Sequence, residues 1–283
     1  MTTVAAALGE ARRRGVASLD AQLLLARLLA STRTRLIAHD ERTLTPAESV
    51  EWEDALNRRL AGEPIAYLLG EKEFHGLALE IDRNVLVPRP ETELLVDWAV
   101  EAIAALTTQH SQNGDPERIR VVDLGTGSGA IALALKRAHP HIDVTATDVS
   151  AGALAVARRN AERLDLAIEL LQVSWWHGLD GRRFHVAIAN PPYIAADDPH
   201  LDALRHEPAV ALTPGGDGLG ALRAIVEGAW PPLVPGGWLL LEHGFDQAAA
   251  VRELLAGAGF SEIETRHDLA GQERATGGRR PPS

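Results

Sequence analysis

The chain has 283 residues, 46% of them hydrophobic, so it can bury a sizeable core and exceeds the roughly 100 to 200 residues of a typical single domain. It contains no cysteine, which excludes disulfides, thiolate metal sites and cysteine nucleophiles. A formal net charge of -11 disfavours broad binding to a phosphate backbone, so no direct nucleic-acid partner is predicted.

The N-terminal segment does not resemble an export signal, because its basic residues follow its apolar ones. No stretch of the chain approaches the roughly 20 apolar residues that span a bilayer. We therefore expect a cytoplasmic protein with no membrane partner.

Helical patterns dominate the first 70 residues. Residues 18–30 place leucines on one helical face, with Ser18 as the predicted N-cap. A second helix is predicted from Thr45, with Pro46 at its first position and Glu48 completing a capping box, and it ends before Gly62. This part holds no cluster of catalytic residue types, so a docking role is favoured over a purely stabilising one.

A β-hairpin is predicted within residues 71–88, where Leu77, Leu79 and Ile81 occupy alternate positions next to a glycine. After Pro88-Arg89-Pro90, residues 92–106 form a predicted amphipathic helix. The polar residues 107–118 that follow indicate a surface loop.

From residue 119 onward, apolar runs alternate with helical segments, which indicates βαβ units. We predict a parallel, doubly wound α/β sheet with helices on both faces and a ligand at the carboxyl ends of its strands. Only the final residues, 277–283, look disordered.

A glycine-rich turn, VVDLGTGSGA, follows the first of these strands and opens a helix. The pattern fits a dinucleotide as well as S-adenosylmethionine, and Asp148 lies where a ribose-binding acid is expected. Asp123 favours S-adenosylmethionine, because an acid suits a ligand with an ammonium and a sulfonium and repels a phosphate. Trp175, past the third strand, could stack on an adenine or simply anchor the strand end.

The segment Asn190-Pro191-Pro192-Tyr193 ends a buried strand and is the strongest signal in the sequence. The prolines fix the backbone and remove N–H donors, so the Asn190 side-chain oxygen and the Pro191 carbonyl remain as acceptors for one planar NH2 group. Tyr193 would pack on the face of that group. This arrangement predicts methyl transfer to an amide or exocyclic amine, with positioning as the main catalytic device. The 11 histidines show no metal-ligand spacing, so no metal is predicted.

At these residues the chain resembles the release factor glutamine methyltransferases. The matching stretches are EPIAYLLGEKEFHG, VLVPRPETE, VVDLGTGSGAIALAL, the strand ending at Asp148, NPPYIAADDPHL and LLLEHG. The resemblance implies a Rossmann-like class I methyltransferase sheet at 89–283, a small N-terminal α-helical substrate-docking domain at 1–72, and a β-hairpin linker at 73–88. It also implies that the N-terminal helices bind a peptide chain release factor whose Gly-Gly-Gln loop enters the site, and we expect a monomer.

The resemblance carries roles over to particular residues. The predicted cofactor-binding residues are Asp123, Gly125, Thr126, Gly127, Ser128, Gly129, Asp148, Trp175 and Asn190. The predicted substrate-binding residues are Asn190, Pro191, Pro192, Tyr193, Arg89 and Glu93, of which Asn190, Pro191 and Tyr193 are the predicted catalytic residues. Ser174 departs from the family, which often has an acid before the tryptophan.

Three alternatives stay open from the sequence. Amino methylation of adenine in nucleic acid is compatible with the preference for a planar NH2 group. Glutamine methylation of a ribosomal protein is the activity of a sibling family. A nucleotide-sensing module without catalysis would need only the glycine turn.

Overall fold

In the computed structural model, which describes residues 2–112 and 118–282, a helical unit comes first in the chain. This unit covers residues 1–72 and a second unit covers 73–283. The helices of the first unit are α1 Val4–Arg13, α2 Ser18–Leu28, α3 Arg33–Ala38, α4 Pro46–Leu60 and α5 Ile65–Leu69. Their core includes Leu25, Trp52 and Leu56, all of them buried.

The ends of α4 and α2 differ in how well the sequence predicted them. At α4, Thr45 Oγ1 accepts from the Glu48 N–H at 3.2 Å and the Glu48 carboxylate accepts from the Thr45 N–H at 2.8 Å, so the capping box is confirmed. At α2, Ser18 is already inside the helix and Ala17 is the cap, with no side-chain hydrogen bond. The prediction of Ser18 as N-cap was therefore wrong.

A hairpin of β1 Glu71–Phe74 and β2 Leu77–Glu80 follows, and the division between the units falls inside β1. A short 3-10 turn, Pro90–Thr92, then leads into α6. The remaining strands are β3 Arg120–Leu124, β4 Asp143–Asp148, β5 Glu169–Gln172, β6 Phe184–Ala189, β7 Leu233–Glu242, β8 Ser261–His267 and β9 Glu273–Arg279. The remaining helices are α6 Glu93–Gln112, α7 Ala130–Ala138, α8 Ala151–Leu164, α9 His200–Ala203, α10 Ala209–Leu212, α11 Gly220–Gly228 and α12 Ala248–Gly257.

The seven-stranded sheet has the order β5-β4-β3-β6-β7-β9-β8. Each pair among the first five strands in this order is parallel, whereas β9 runs antiparallel to both of its neighbours. The chain passes from β3 to β4 on one side and places β6 on the other, so the order reverses at β3. A ligand crevice is expected outside the carboxyl ends of the strands at such a reversal.

Both faces of the sheet are covered, as a doubly wound fold requires. On one face, Val122 of β3 packs in a cluster with Leu222 of α11 and Val251 of α12. On the opposite face, the Trp98 ring of α6 lies 2.8 Å from the position that a Cβ at Gly277 would occupy. The predicted α/β class and the doubly wound sheet are confirmed.

Two segments near predicted loops differ from the sequence-based expectation. Helix α6 continues to Gln112, so residues 107–112 of the predicted surface loop are helical, and 113–117 lie outside the described residues. Residues 277–279, predicted to be disordered, belong to β9. Within the described part of the chain, no helix is both long and apolar enough to cross a membrane.

Candidate active site

A cavity of about 440 Å³ opens where β3, β4, β5 and β6 end. Its volume lies in the range of pockets that hold small molecules. The predicted site residues that line it are Arg89, Gly125, Thr126, Gly127, Ser128, Asp148, Trp175, Asn190 and Pro192. Five other predicted site residues are not among its lining residues: Glu93, Asp123, Gly129, Pro191 and Tyr193.

The glycine turn between β3 and α7 adopts a backbone that side chains disfavour. Gly125, Gly127 and Gly129 have φ angles of 80°, 56° and 84°, in the left-handed region. A Cβ at Gly125 would lie 3.3 Å from the Trp175 ring, so the bare glycine lets this ring lie against the turn. Trp175 itself has a φ of 47°, and its side chain forms part of the cavity wall.

Asp148 ends β4 and is held by the backbone. Its carboxylate accepts from the Gly127 N–H and the Ser150 N–H, both at 2.9 Å. Burial is the main influence on its pKa and raises it, while these hydrogen bonds oppose the rise. The side chain is thus fixed on the cavity wall beside the glycine turn.

Asp123 lies beneath the glycine turn and is fully buried. The Thr126 hydroxyl donates to its Oδ2 at 2.6 Å, and the Ala132 N–H donates to the same atom at 3.3 Å. Burial raises the pKa of this carboxyl to about 7. Asp123 therefore ties the turn to α7, and its Oδ1 has no hydrogen-bond partner among the described residues.

The Asn190 carboxamide follows β6 and is anchored at one end. Its Nδ2 donates to the Thr92 hydroxyl oxygen at 3.0 Å, and Thr92 is buried. Because the NH2 end is engaged, the Oδ1 end is left as the acceptor in a side chain that lines the cavity.

Tyr193 points its hydroxyl into the protein. This hydroxyl donates to Glu242 Oε1 at 3.3 Å, and burial raises the pKa of the phenol. The Tyr193 backbone carbonyl accepts from the Gln247 side chain at 2.9 Å. Both contacts fix the segment that follows Asn190.

Arg89 and Glu93, predicted to line the site mouth, occupy different surroundings. Arg89 lines the cavity and pairs with the Glu207 carboxylate, which also accepts from the Val87 N–H at 3.0 Å. Glu93 instead accepts from the His75 N–H at 2.9 Å and so holds the hairpin turn.

The chain is similar to known proteins along most of its length. The PrmC N-terminal domain matches residues 2–70 and the methyltransferase small domain matches residues 99–241. The release factor glutamine methyltransferase of Burkholderia pseudomallei is 48% identical over 273 residues, covering 93% of this chain and 92% of that protein. The protein of the same name from Bordetella pertussis is 46% identical over 267 residues, covering 93% and 95%. The chain belongs to the release factor glutamine methyltransferase family.

Solved structures with a similar fold come from more distant proteins. The catalytic domain of hMettl16, bound to the MAT2A 3′UTR hairpin 1, has a TM-score of 0.56 at 17% identity, covering 84% of each chain. A methyltransferase from Pyrococcus furiosus has a TM-score of 0.53 at 19% identity, covering 81% of this chain and 99% of that one. Because both identities are below 20%, these similarities show that the fold is shared and nothing about the activity of this chain.

Three buried residues support the site in this release factor glutamine methyltransferase family member and were not identified from the sequence. They are Thr92, Glu207 and Asn160. Asn160 of α8 donates to the Ser128 carbonyl at 2.9 Å and to the Glu80 carbonyl at 3.0 Å. It thereby joins the glycine turn to the hairpin. Thr92 lies in the PRPETE stretch, from which only Arg89 and Glu93 were predicted as site residues.

The possible metal ligands of the chain include the buried His243. Among the described residues, no group of three or more His, Asp or Glu side chains could hold a metal ion. His243 is buried, and its ring nitrogens are hydrogen-bonded to the Gly244 carbonyl at 2.8 Å and the Thr276 hydroxyl at 2.7 Å. Burial lowers its pKa.

Proposed function

We propose that this protein transfers a methyl group from S-adenosylmethionine to the side-chain amide nitrogen of the glutamine in the Gly-Gly-Gln motif of peptide chain release factors. The observation that carries the proposal is the anchored Asn190 carboxamide, which faces a cavity shared with the glycine turn. Membership of the release factor glutamine methyltransferase family supplies the substrate.

The glycine turn favours S-adenosylmethionine over a dinucleotide. A pyrophosphate needs free backbone N–H groups at the start of the helix. Four of the five N–H groups from Gly125 to Gly129 already donate within the protein, to the Thr147 carbonyl, the Asp148 carboxylate and the Thr126 carbonyl. The turn is therefore poorly equipped to cradle phosphate, and the buried acids beside it suit a cationic ligand.

Residues around the turn would hold the cofactor. Asp148 offers carboxylate oxygens to ribose hydroxyls, and the Trp175 ring offers a flat apolar face to the adenine. Asp123 and the glycines shape the floor, and Ser174 offers a hydroxyl where relatives often carry an acid. When bound, S-adenosylmethionine supplies an activated methyl group on a sulfonium.

The protein's part in the chemistry is to orient a weak nucleophile. The lone pair of an amide nitrogen is delocalised into its carbonyl, so hydrogen bonds that favour charge developing on nitrogen act mainly in the transition state. Asn190 Oδ1 and the Pro191 carbonyl accept the two N–H groups of the glutamine. Pro192 and Tyr193 hold this pair of acceptors rigid, and Arg89 lines the cavity mouth.

The unit formed by residues 1–72 is the proposed docking domain for the release factor. Its helices have a core of their own and hold no catalytic cluster, and they match the PrmC N-terminal domain. The hairpin of residues 73–88 then links this domain to the methyltransferase domain at 89–283. In this proposal the protein acts in the cytoplasm, as a monomer and without nucleic acid.

The test uses methyl-labelled S-adenosylmethionine, the purified protein and a release factor. We expect label on the glutamine of the Gly-Gly-Gln motif and none on a release factor whose glutamine is replaced by glutamate, which has no amide nitrogen. An adenine-containing oligonucleotide and the ribosomal proteins are offered in parallel. Label on either of these, with an unmodified release factor, would overturn the assignment.

A further inference from the structure

Glu242 is a buried carboxyl that the proposed chemistry does not use. It ends β7, the neighbour of β6 in the sheet, and is 1% exposed. The Tyr193 hydroxyl donates to its Oε1 at 3.3 Å, and the buried Thr92 side chain adjoins this carboxyl and lowers its pKa. Thr92 is the residue that anchors Asn190. Glu242 therefore contacts Tyr193 directly and reaches Asn190 through Thr92.

The hydrogen bonds in this group have a direction. A carboxylate only accepts, so the single Thr92 hydroxyl proton must point toward Glu242. The Thr92 oxygen then has only lone pairs to offer Asn190, and it accepts from the Nδ2 end. The Oδ1 end is left for the cavity.

We propose that Glu242 is a positioning residue which, through Thr92, fixes the end of the Asn190 carboxamide that faces the cavity. The kinetic consequence rests on the proposed function, whereas the orientation itself does not. Tyr193 is a second link, because Glu242 also fixes the direction of its hydroxyl.

The reversed carboxamide has nearly the same shape but the opposite chemistry. With its NH2 group toward the cavity, Asn190 would present donors to a substrate amide that itself brings donors. The two N–H groups would then repel, and the transition state would lose one of its two acceptors. Fixing the orientation in advance removes this unproductive state.

The charges around Glu242 make its effect on Asn190 depend on pH. Burial raises the pKa of Glu242 to about 7, opposed by the adjoining Thr92 side chain, the nearby Arg274 and the hydrogen bond from Tyr193, while Glu91 adds to the rise. Protonation allows the carboxyl to donate toward Thr92 and removes the fixed direction. The kcat of the wild type is expected to rise with pH through about 7, and Glu242→Gln should lack this rise.

The kinetic test compares Glu242→Gln, Thr92→Val and Thr92→Ser, with Glu169→Gln, at an exposed position of the edge strand β5, as the control. Misplacing a reacting group in an otherwise intact site costs on the order of 10- to 100-fold in kcat. We expect that loss in Glu242→Gln and Thr92→Val, with cofactor affinity and the KM for the release factor nearly unchanged. Thr92→Ser keeps the hydroxyl and should retain activity. The double variant that combines Glu242→Gln with Thr92→Val should lose no more kcat than either single variant, because both act through the same contact.

A second measurement does not depend on methyl transfer. In 15N-labelled protein, the Asn190 NH2 signals are assigned by their absence in Asn190→Ala, and their exchange with water is followed. We expect protection in the wild type and in Thr92→Ser, and its loss in Thr92→Val and Glu242→Gln.

Equal protection in Thr92→Val and the wild type would overturn the inference, as would additive losses of kcat in the double variant. If the wild type methylates no release factor while the exchange pattern is as expected, the proposed function fails and the positioning role of Glu242 stands.

Discussion

Asn190 carries a donor end and an acceptor end on one planar group, and the protein engages only the donor end from within. Nδ2 binds Thr92 at 3.0 Å, so the acceptor is available to the cavity without moving the side chain. Preorganisation of this kind costs nothing at the moment of reaction.

We predict that Asn190→Ala lowers kcat by roughly 100-fold or more, the range seen when one preorganised hydrogen-bonding group is removed from an active site. The affinity for S-adenosylmethionine should stay largely intact, because the glycine turn and Asp148 are untouched. Single-turnover kinetics and calorimetric titration of the cofactor measure the two effects separately. If both fell together, Asn190 would be mainly a cofactor ligand.

At this scale the sequence predicted the residues that stand next to a motif and missed those that support it from elsewhere in the chain. Asn190 follows β6 and Asp148 ends β4, and both strand ends could be predicted from the local sequence pattern. Their supports are remote: Thr92 lies 98 residues before Asn190, and Asn160 lies 80 residues after its partner Glu80. A lone threonine or asparagine gives no local signal, because its role depends on which strands meet in the sheet.

At the scale of elements, β9 shows where a sequence pattern misleads. Gly277 and Gly278 stand before two arginines, a composition typical of a disordered end. In the structure, Leu240 and Trp98 occupy the space beside Gly277, and the Phe260 ring lies beside Gly278. Side chains at these two positions would clash with the larger neighbours, so glycine fits there. The sequence alone does not show this packing, because the neighbours come from other elements of the fold.

We predict that Gly277→Ala lowers the free energy of unfolding by roughly 1 to 3 kcal/mol, the usual cost of overpacking a core. The added Cβ would lie 2.6 Å from Leu240 Cδ2 and 2.8 Å from Trp98 Cη2. Gly257→Ala in α12 is the control, since nothing lies within 4 Å of its Cβ position. Urea denaturation measures both, and an equal effect of the two substitutions would contradict the packing argument.

The alternation of strands and helices could be predicted from the sequence, because buried parallel strands form unbroken apolar runs. All six residues of β6 are buried, and the run stops where Asn190 begins. Strand β9 and its antiparallel direction were not predicted, because its sequence, ERATGGR, contains no apolar run. Helix α6 continued past its apolar residues for a similar reason, since exposed helical turns need no apolar pattern.

For the whole molecule, the two units predict a separation of docking from chemistry. A variant that begins at Glu71 keeps both hairpin strands and the entire seven-stranded sheet. We expect it to bind S-adenosylmethionine with nearly wild-type affinity and to lose methylation of an intact release factor. Calorimetry and labelled methyl transfer measure the two properties. Full activity of this variant would remove the docking role from residues 1–72.

Two buried carboxyls also make the stability of the molecule depend on pH. Burial raises the pKa of Asp123 and of Glu242 to about 7, from ordinary values of 3.8 and 4.5. Between about pH 4 and pH 7, the folded state therefore binds more protons at these two carboxyls than the unfolded state does. The free energy of unfolding should therefore fall as pH rises from about 4 to about 7, and these groups should have no further effect above that range.

For Glu242, a difference of this size corresponds to at most roughly 3 kcal/mol. Glu242→Gln removes its share, so the fall between pH 4 and pH 7 should be shallower than in the wild type. Chemical denaturation at a series of pH values gives the comparison. Parallel curves for the two proteins would show that Glu242 titrates normally in the folded state.

The place of β9 between β7 and β8 has a consequence for the growing chain on the ribosome. Strand β8 is synthesised first but borders β9 alone, so it has no partner in the sheet until β9 has been made. Domains generally fold as their chain emerges during translation. Here β7 keeps an open edge, and α12 lacks one of the strands it packs on, until residues 273–279 have emerged.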